Sequence, residues 1–364
     1  MYTSNNQSKL EMLSEKELCK FNALVGHTPF SFFRDFTHPV VIFDYYKDYA
    51  LKLINDISSS INQRFETTFD YLVNPEVNAG CISIEGKNRI VVYEGTILSI
   101  YAYASILACN YHTITIRLPQ DTERIIHTVE INAQYDDYPT ITTKLRISNI
   151  VEENIIAEYI AMISIKLVIS HEIGHILGGH LVYLLKHGEQ YASFYMTNNN
   201  GTKIDALDLQ ALEIDADSFA ICHLVSLLET ELLKDPILLN IVTDTSEIYK
   251  LIGCAIQCVF YLIECNSDKS MEDNHPLPMT RVNMLLDTCR GTLSTNNSDK
   301  EFGNIVKGII LAQKHFCNFF NKQFVEPEQF VFDVLGINEH GRSILDRWRD
   351  LKLEISKYTS LPFI

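Results

Sequence analysis

Apolar residues recur at helical spacing between Tyr45 and Ile61, within a mixed-polarity stretch that predicts an N-terminal helical region over residues 1–60. Near Glu76 the pattern changes. Val77–Ile84 reads as a strand, Glu85-Gly86-Lys87-Asn88 as a turn and Arg89–Tyr93 as the return strand. Gly95-Thr96 opens an apolar helix that runs to about Cys109. A further strand pair is expected from Thr113–Leu118 and Ile125–Ile131, with one more strand near Thr140–Ile147.

From Glu152 the spacing turns helical and stays so. The first stretch, Glu152 to Lys186, reads as one helix or as two meeting near Ser164. A polar loop containing Asn198-Asn199-Asn200-Gly201 separates it from a helix over Ile204–Leu233. Later helices are expected at Ser246–Glu264, Pro278–Cys289, Asp299–Phe320 and Gly341–Ser356. The sum is an α+β chain, a small antiparallel sheet followed by a mainly helical half. It divides into a helical region 1–60, a central domain 61–295 and a helical region 296–364.

Two apolar stretches need testing as membrane spans. Ile155–Leu185 is interrupted by Glu158, Lys166, His171, Glu172 and His175, and Leu251–Ile263 has only thirteen residues, short of the roughly 20 a bilayer requires. Both read as buried core helices, and no span is expected. Composition fits a folded globular chain, with 46% hydrophobic and 21% charged residues. The net charge of -16 disfavours nucleic acid, whose phosphates call for a basic surface. The first twenty residues lack the basic and apolar regions of a secretory signal. The nine cysteines are scattered without a C-x-x-C pair, and read as small core residues in a reducing, cytoplasmic setting.

Within the apolar stretch lies His171-Glu172-Ile173-Gly174-His175. Histidines four apart share a helix face, so both imidazoles can reach one ion, and Glu172 can take a proton from water beside it. A hydrolytic zinc site needs a third protein ligand. A histidine ten residues after the first would give the metzincin pattern, but that position is Leu181, and His180 is one short. Glu213, 38 residues beyond His175, supplies a carboxylate from a second helix. Asp217, four further on, can accept the remaining N–H of a ligand histidine. His180 lies on a different azimuth and reads as a supporting or packing residue rather than a ligand. Glu189, Asp205 and Asp208 read as solvated charges, and the loop from His187 to Asp205 is placed to cover a cleft.

These motifs resemble the gluzincin metallopeptidases, and within them the group of HtpX and the CAAX-processing proteases. The shared features are H-E-x-x-H-x-x-x-x-H ending at His180, E-x-x-A-D-x-x-A from Glu213 to Ala220, Asn78-Ala79 ahead of a hairpin, and His275-Pro276 followed by Arg281. The chain departs from that membrane group in lacking convincing spans, which brings it nearer to soluble Lit-type relatives; ImmA-type ones rank lower because they usually carry Asn where this chain has Asp217. The resemblance implies a zincin-like fold, one Zn2+ per chain and hydrolysis of a protein or peptide substrate with Glu172 as general base. It implies that His275 stabilises an oxyanion; on the residues alone, His275 reads as an exposed loop residue before a Pro-initiated helix. The resemblance implies that Arg281 anchors that segment through an acid such as Asp217. The strand through Asn78, Ala79 and Gly80 would bind substrate by edge pairing, or be an ordinary core strand. The competing function is a metal-stabilised binding or regulatory protein that no longer catalyses, or an ImmA-type peptidase acting on a repressor.

Overall fold

The computed structural model describes residues 40–60, 67–72, 74, 76–84, 87–109, 113–117, 123–135, 138–187, 192–195, 204–266, 275–293, 298–323 and 339–359. Of the N-terminal region only the part from Val40 is therefore described, and Glu189 and the Asn198–Gly201 loop lie outside the described residues. The order is α1 (Val40–Ser60), β1 (Thr67–Leu72), β2 (Ala79–Ile84), β3 (Lys87–Tyr93), α2 (Glu94–Ala108), β4 (Ile126–Tyr135), β5 (Tyr138–Ser148) and α3 (Val151–Leu177). Then come α4 (His180–Lys186), β6 (Ala192–Tyr195), α5 (Ala206–Thr230), α6 (Pro236–Ile241), α7 (Ser246–Asn266), α8 (Pro278–Thr292), α9 (Ser298–Phe319) and α10 (Glu339–Ile355).

Helix α3 is the axis of the molecule. All 27 of its residues are buried, as expected for a helix that is apolar around its whole circumference. It packs against α2, α5 and α7, with β2 and β3 along another side. Its start is fixed by Asn154, whose side chain accepts from Ser148 N at 3.0 Å and donates to Ser148 O at 2.8 Å. The two acids of its first turn, Glu152 and Glu153, suit the positive end of the helix dipole. The helix runs without a break through Ser164 and stops instead at Gly178-Gly179. There Gly178 N donates to Gly174 O at 2.7 Å, and Gly179 has φ 77°, a left-handed turn that favours glycine. Helix α4 then leaves in a new direction.

The sheet departs from expectation in two ways. It is mixed, in the order β1-β3-β2-β6, with β1 parallel to β3 and the other pairs antiparallel. The hairpin β4–β5 forms a separate two-stranded sheet. Residues 113–117 do not pair with β4. Ile116 bridges to Val242, and Arg117 N donates to Ile241 O at 2.8 Å, because the turn after α6 offers a partner that a local reading cannot see.

The C-terminal helices pack directly onto the core. Helix α9 lies along α7, and the two backbones touch where Gly253 meets Ile305 and Gly308 meets Lys250. Helix α10 packs on α5. Its Arg347 pairs with Asp208, which also accepts from Tyr183 Oη at 2.9 Å. Asp208 is thus a buried, paired acid and not a solvated one, whereas Asp205 caps α5 by accepting from Leu207 N at 2.8 Å. Helices α3 and α7 are each long and apolar enough to cross a membrane, α7 having 21 residues rather than the thirteen of its apolar run. They are, however, 100% and 89% buried over those windows within the protein, the pattern of core helices.

Candidate metal centre

The site forms where α3 crosses α5. A Cβ added at Gly174 would lie 3.1 Å from Ala216 Cα, so the small pair lets the two backbones meet. That approach carries Glu213 to the histidines. His171 Nε2 and His175 Nε2 are 3.0 Å apart, and Glu213 places Oε2 3.4 Å from the first and Oε1 3.4 Å from the second. All three side chains are buried, and together they could hold a metal ion.

Each of the three side chains has a support. His171 Nδ1 lies 2.9 Å from Asp217 Oδ1. Asp217 receives two hydrogen bonds of 2.8 Å from Arg281 on α8, and Arg281 Nη1 also stands 3.2 Å from Glu213 Oε2. His275, just ahead of α8, brings Nδ1 to 3.7 Å from Glu213 Oε2. It is buried, so it is not an exposed loop residue. His175 Nδ1 meets His180 Nδ1 at 2.9 Å, and His180 Nε2 meets Asp215 Oδ2 at 3.0 Å.

Glu172, Glu213 and Asp217 are all buried close to the Arg281 guanidinium, and buried carboxylates are costly unless they are paired or neutral. Burial pushes the Glu172 carboxyl up to about 7, against the opposing pull of His171. Burial works to raise Glu213 too, but Arg281 and His275 outweigh it and hold Glu213 well below the usual carboxylate range. Burial would lower His171, yet its hydrogen bonds to Asp217 and Glu213 carry it up to about 10. His175, by contrast, is pushed by burial down to about 3, which leaves a neutral imidazole with a lone pair to offer. Glu172 Oε2 is buried with no hydrogen-bond partner. Two imidazoles and a carboxylate within reach of one point, beside a carboxylate oxygen with no hydrogen-bond partner, are a donor set that fits a divalent cation.

No family model, curated protein or solved structure matches this chain.

The fold brings His171, Glu172, His175, Glu213, Asp217, His275, Arg281 and His180 into one cluster. The strand residues stand differently. Strand β2 runs beside α3, and a side-chain hydrogen bond from Cys81 to Glu172 offsets a small part of the rise that burial causes in its pKa. Strand β6, however, pairs with β2 from Gly80 to Ser83, so the expected open edge is already taken there by the chain's own 192–195 segment. Asn78 Oδ1 accepts from Ala79 N at 2.9 Å and Asn78 O accepts from Thr96 Oγ1 at 2.7 Å, which ties Asn78 into the start of the hairpin.

Three residues escaped the sequence reading. Asp215 is two positions from Glu213, and so points away from the ligand face of α5 on a helical wheel; only the turn at Gly179 brings His180 to it. Gly174 carried a readable signal, a glycine between the two histidines with Ala216 as the small residue facing it. Cys81 gave none.

Proposed function

We propose that the chain is a zinc-dependent endopeptidase of the gluzincin type, acting on a protein or peptide substrate in the cytoplasm. The observation that carries this reading is the buried His171–His175–Glu213 cluster beside the unpartnered Oε2 of Glu172. Zinc favours two or three imidazoles with a carboxylate, at about 2.0–2.1 Å from each donor, which sets tetrahedral donors roughly 3.3 Å apart. The separations of 3.0, 3.4 and 3.4 Å support that ion. Zinc bound here would polarise a scissile carbonyl and activate water.

The chain's own groups supply the rest. Glu172 is poised near neutrality by burial, so it can take a proton from water and later return it to a leaving amine. His275 stands on the α8 side of Glu213, where an N–H could stabilise a developing oxyanion. Asp217 and Arg281 orient His171 and Glu213. Free thiols at the eight described cysteines support a reducing compartment.

The covered site supports a second reading, a metal-stabilised binding protein without turnover, since β6 occupies the β2 edge. One comparison separates the two. Elemental analysis should find about one zinc per chain in the wild type and in Glu172→Gln, and little in Glu213→Ala. Mapping of new protein N-termini in cells should find cleavages in the wild type that fall at least about 100-fold in Glu172→Gln. Zinc with identical N-termini in both would favour the binding protein, and absence of metal from the wild type would overturn the site.

A further inference from the structure

We propose that His180 and Asp215 form a hydrogen-bond relay that fixes the tautomer and ring plane of His175, making both of them positioning residues for that ligand. The inference rests on the metal-site reading given above and adds what holds the second histidine in place.

The two ligand histidines are supported unequally. His171 has a carboxylate, Asp217, directly on its Nδ1 at 2.9 Å. His175 has another imidazole there, His180 Nδ1 at 2.9 Å. An imidazole can either donate or accept at a given nitrogen, so this contact alone leaves the tautomer of His175 undecided. Asp215 decides it. Its carboxylate accepts at His180 Nε2, 3.0 Å away, so a neutral His180 carries its proton on Nε2 and accepts at Nδ1. His175 must then carry its proton on Nδ1, which leaves the lone pair of Nε2 facing His171 and Glu213. The opposite tautomers would aim the bare Nε2 of His180 at a carboxylate and close His175 Nε2 as a ligand. For neutral rings this assignment satisfies the His175–His180 and His180–Asp215 contacts together, and it leaves His175 Nε2 open as metal binding needs.

The chain is built to make this contact. Gly179, at φ 77°, turns α4 so that His180 folds back beneath His175, the ring centroids 5.0 Å apart and nearly perpendicular at 75°. A Cβ at Gly178 would lie 2.6 Å from His180 Nε2, so a side chain there would displace the ring. His180 is wholly buried while the Asp215 side chain is 30% exposed. The relay thus runs from the buried ligand to a charge that stays in contact with water.

The test uses the full chain. Zn2+ affinity, by competition with a chromophoric chelator, should fall about 10- to 100-fold in His180→Ala and in Asp215→Ala. Asp215→Asn, whose carbonyl can still accept from His180, should recover most of the Asp215→Ala loss. Asp215 lies at the surface end, so its variants report even if His180→Ala does not fold. In parallel, 15N NMR of histidine-labelled, metal-free protein reads the tautomer directly. Protonation of His175 at Nδ1, lost or scrambled in Asp215→Ala, supports the relay. Wild-type affinity in both alanine variants, or a proton on His175 Nε2, overturns it. If the wild type binds no Zn2+ at all, the function proposed above fails, and the tautomer alone judges the relay.

Discussion

At the residue scale, desolvation decides which groups are neutral and which must find a partner. Glu172 and His175 respond to burial by moving toward neutrality, whereas Glu213 and Asp217 stay ionised because Arg281 lies against both. The same rule applies away from the site, where His223 accepts or donates at Tyr49 Oη at 2.8 Å. Burial, and secondarily Lys166, push His223 down to about 4. Its ordinary value in an unfolded chain is about 6.5. Between these values the unfolded chain binds the proton and the folded one refuses it. Stability from this group is therefore intact above pH 6.5, declines as pH falls through the window, and levels off below about 4 at a cost of at most about 3 kcal/mol. Urea unfolding at pH 7 and pH 5 should show a smaller loss in His223→Gln than in the wild type. Equal losses would remove His223 from the account.

At the element scale, the site depends on how closely helices approach. Gly174 against Ala216 sets the α3–α5 distance, and so sets whether Glu213 reaches the histidines. The same device joins α7 to α9, where Gly253 and Gly308 place backbone on backbone. An added methyl there has no flexible side chain to push aside. Gly253→Ala or Gly308→Ala should cost about 1–3 kcal/mol by forcing the helices apart, read as a lowered denaturant midpoint. If the overpacking is confined to that seam, metal content should stay at the wild-type level. The glycine pair at 178–179 does a different job, since it ends α3 and redirects α4 so that His180 can reach Asp215.

At the scale of the whole molecule, helices from distant parts of the chain converge on one centre. Helix α3 gives His171, Glu172 and His175, α5 gives Glu213 and Asp217, and α8 gives Arg281. An ion bound at their crossing holds the folded state and not the unfolded one, so it stabilises the whole. At a free concentration 1,000 times its Kd the gain is about 4 kcal/mol. Chelation should lower the thermal midpoint by several degrees, and Zn2+ should restore it. Glu213→Ala should show neither change, and a chelator-insensitive wild type would speak against the ion.

The sequence by itself determined the local and periodic features. The apolar run around His171 made a buried helix, the spacing of four put both imidazoles on one face, and the spacing from Glu213 to Asp217 did the same for the acids. It also placed most helices within a few residues, because helical periodicity is repeated over many turns. The strands were only partly legible. Pairing is set by which backbone lies alongside, so β1 joined β3 in parallel, β6 took the edge of β2, and residues 113–117 went to the turn after α6. Tertiary structure alone decided that His180 turns back to His175, that Asp215 completes its hydrogen bonding, and that Asp208 is buried under α10. Each of these depends on a chain direction fixed by one left-handed glycine or by a remote helix, and a pattern of spacings contains neither.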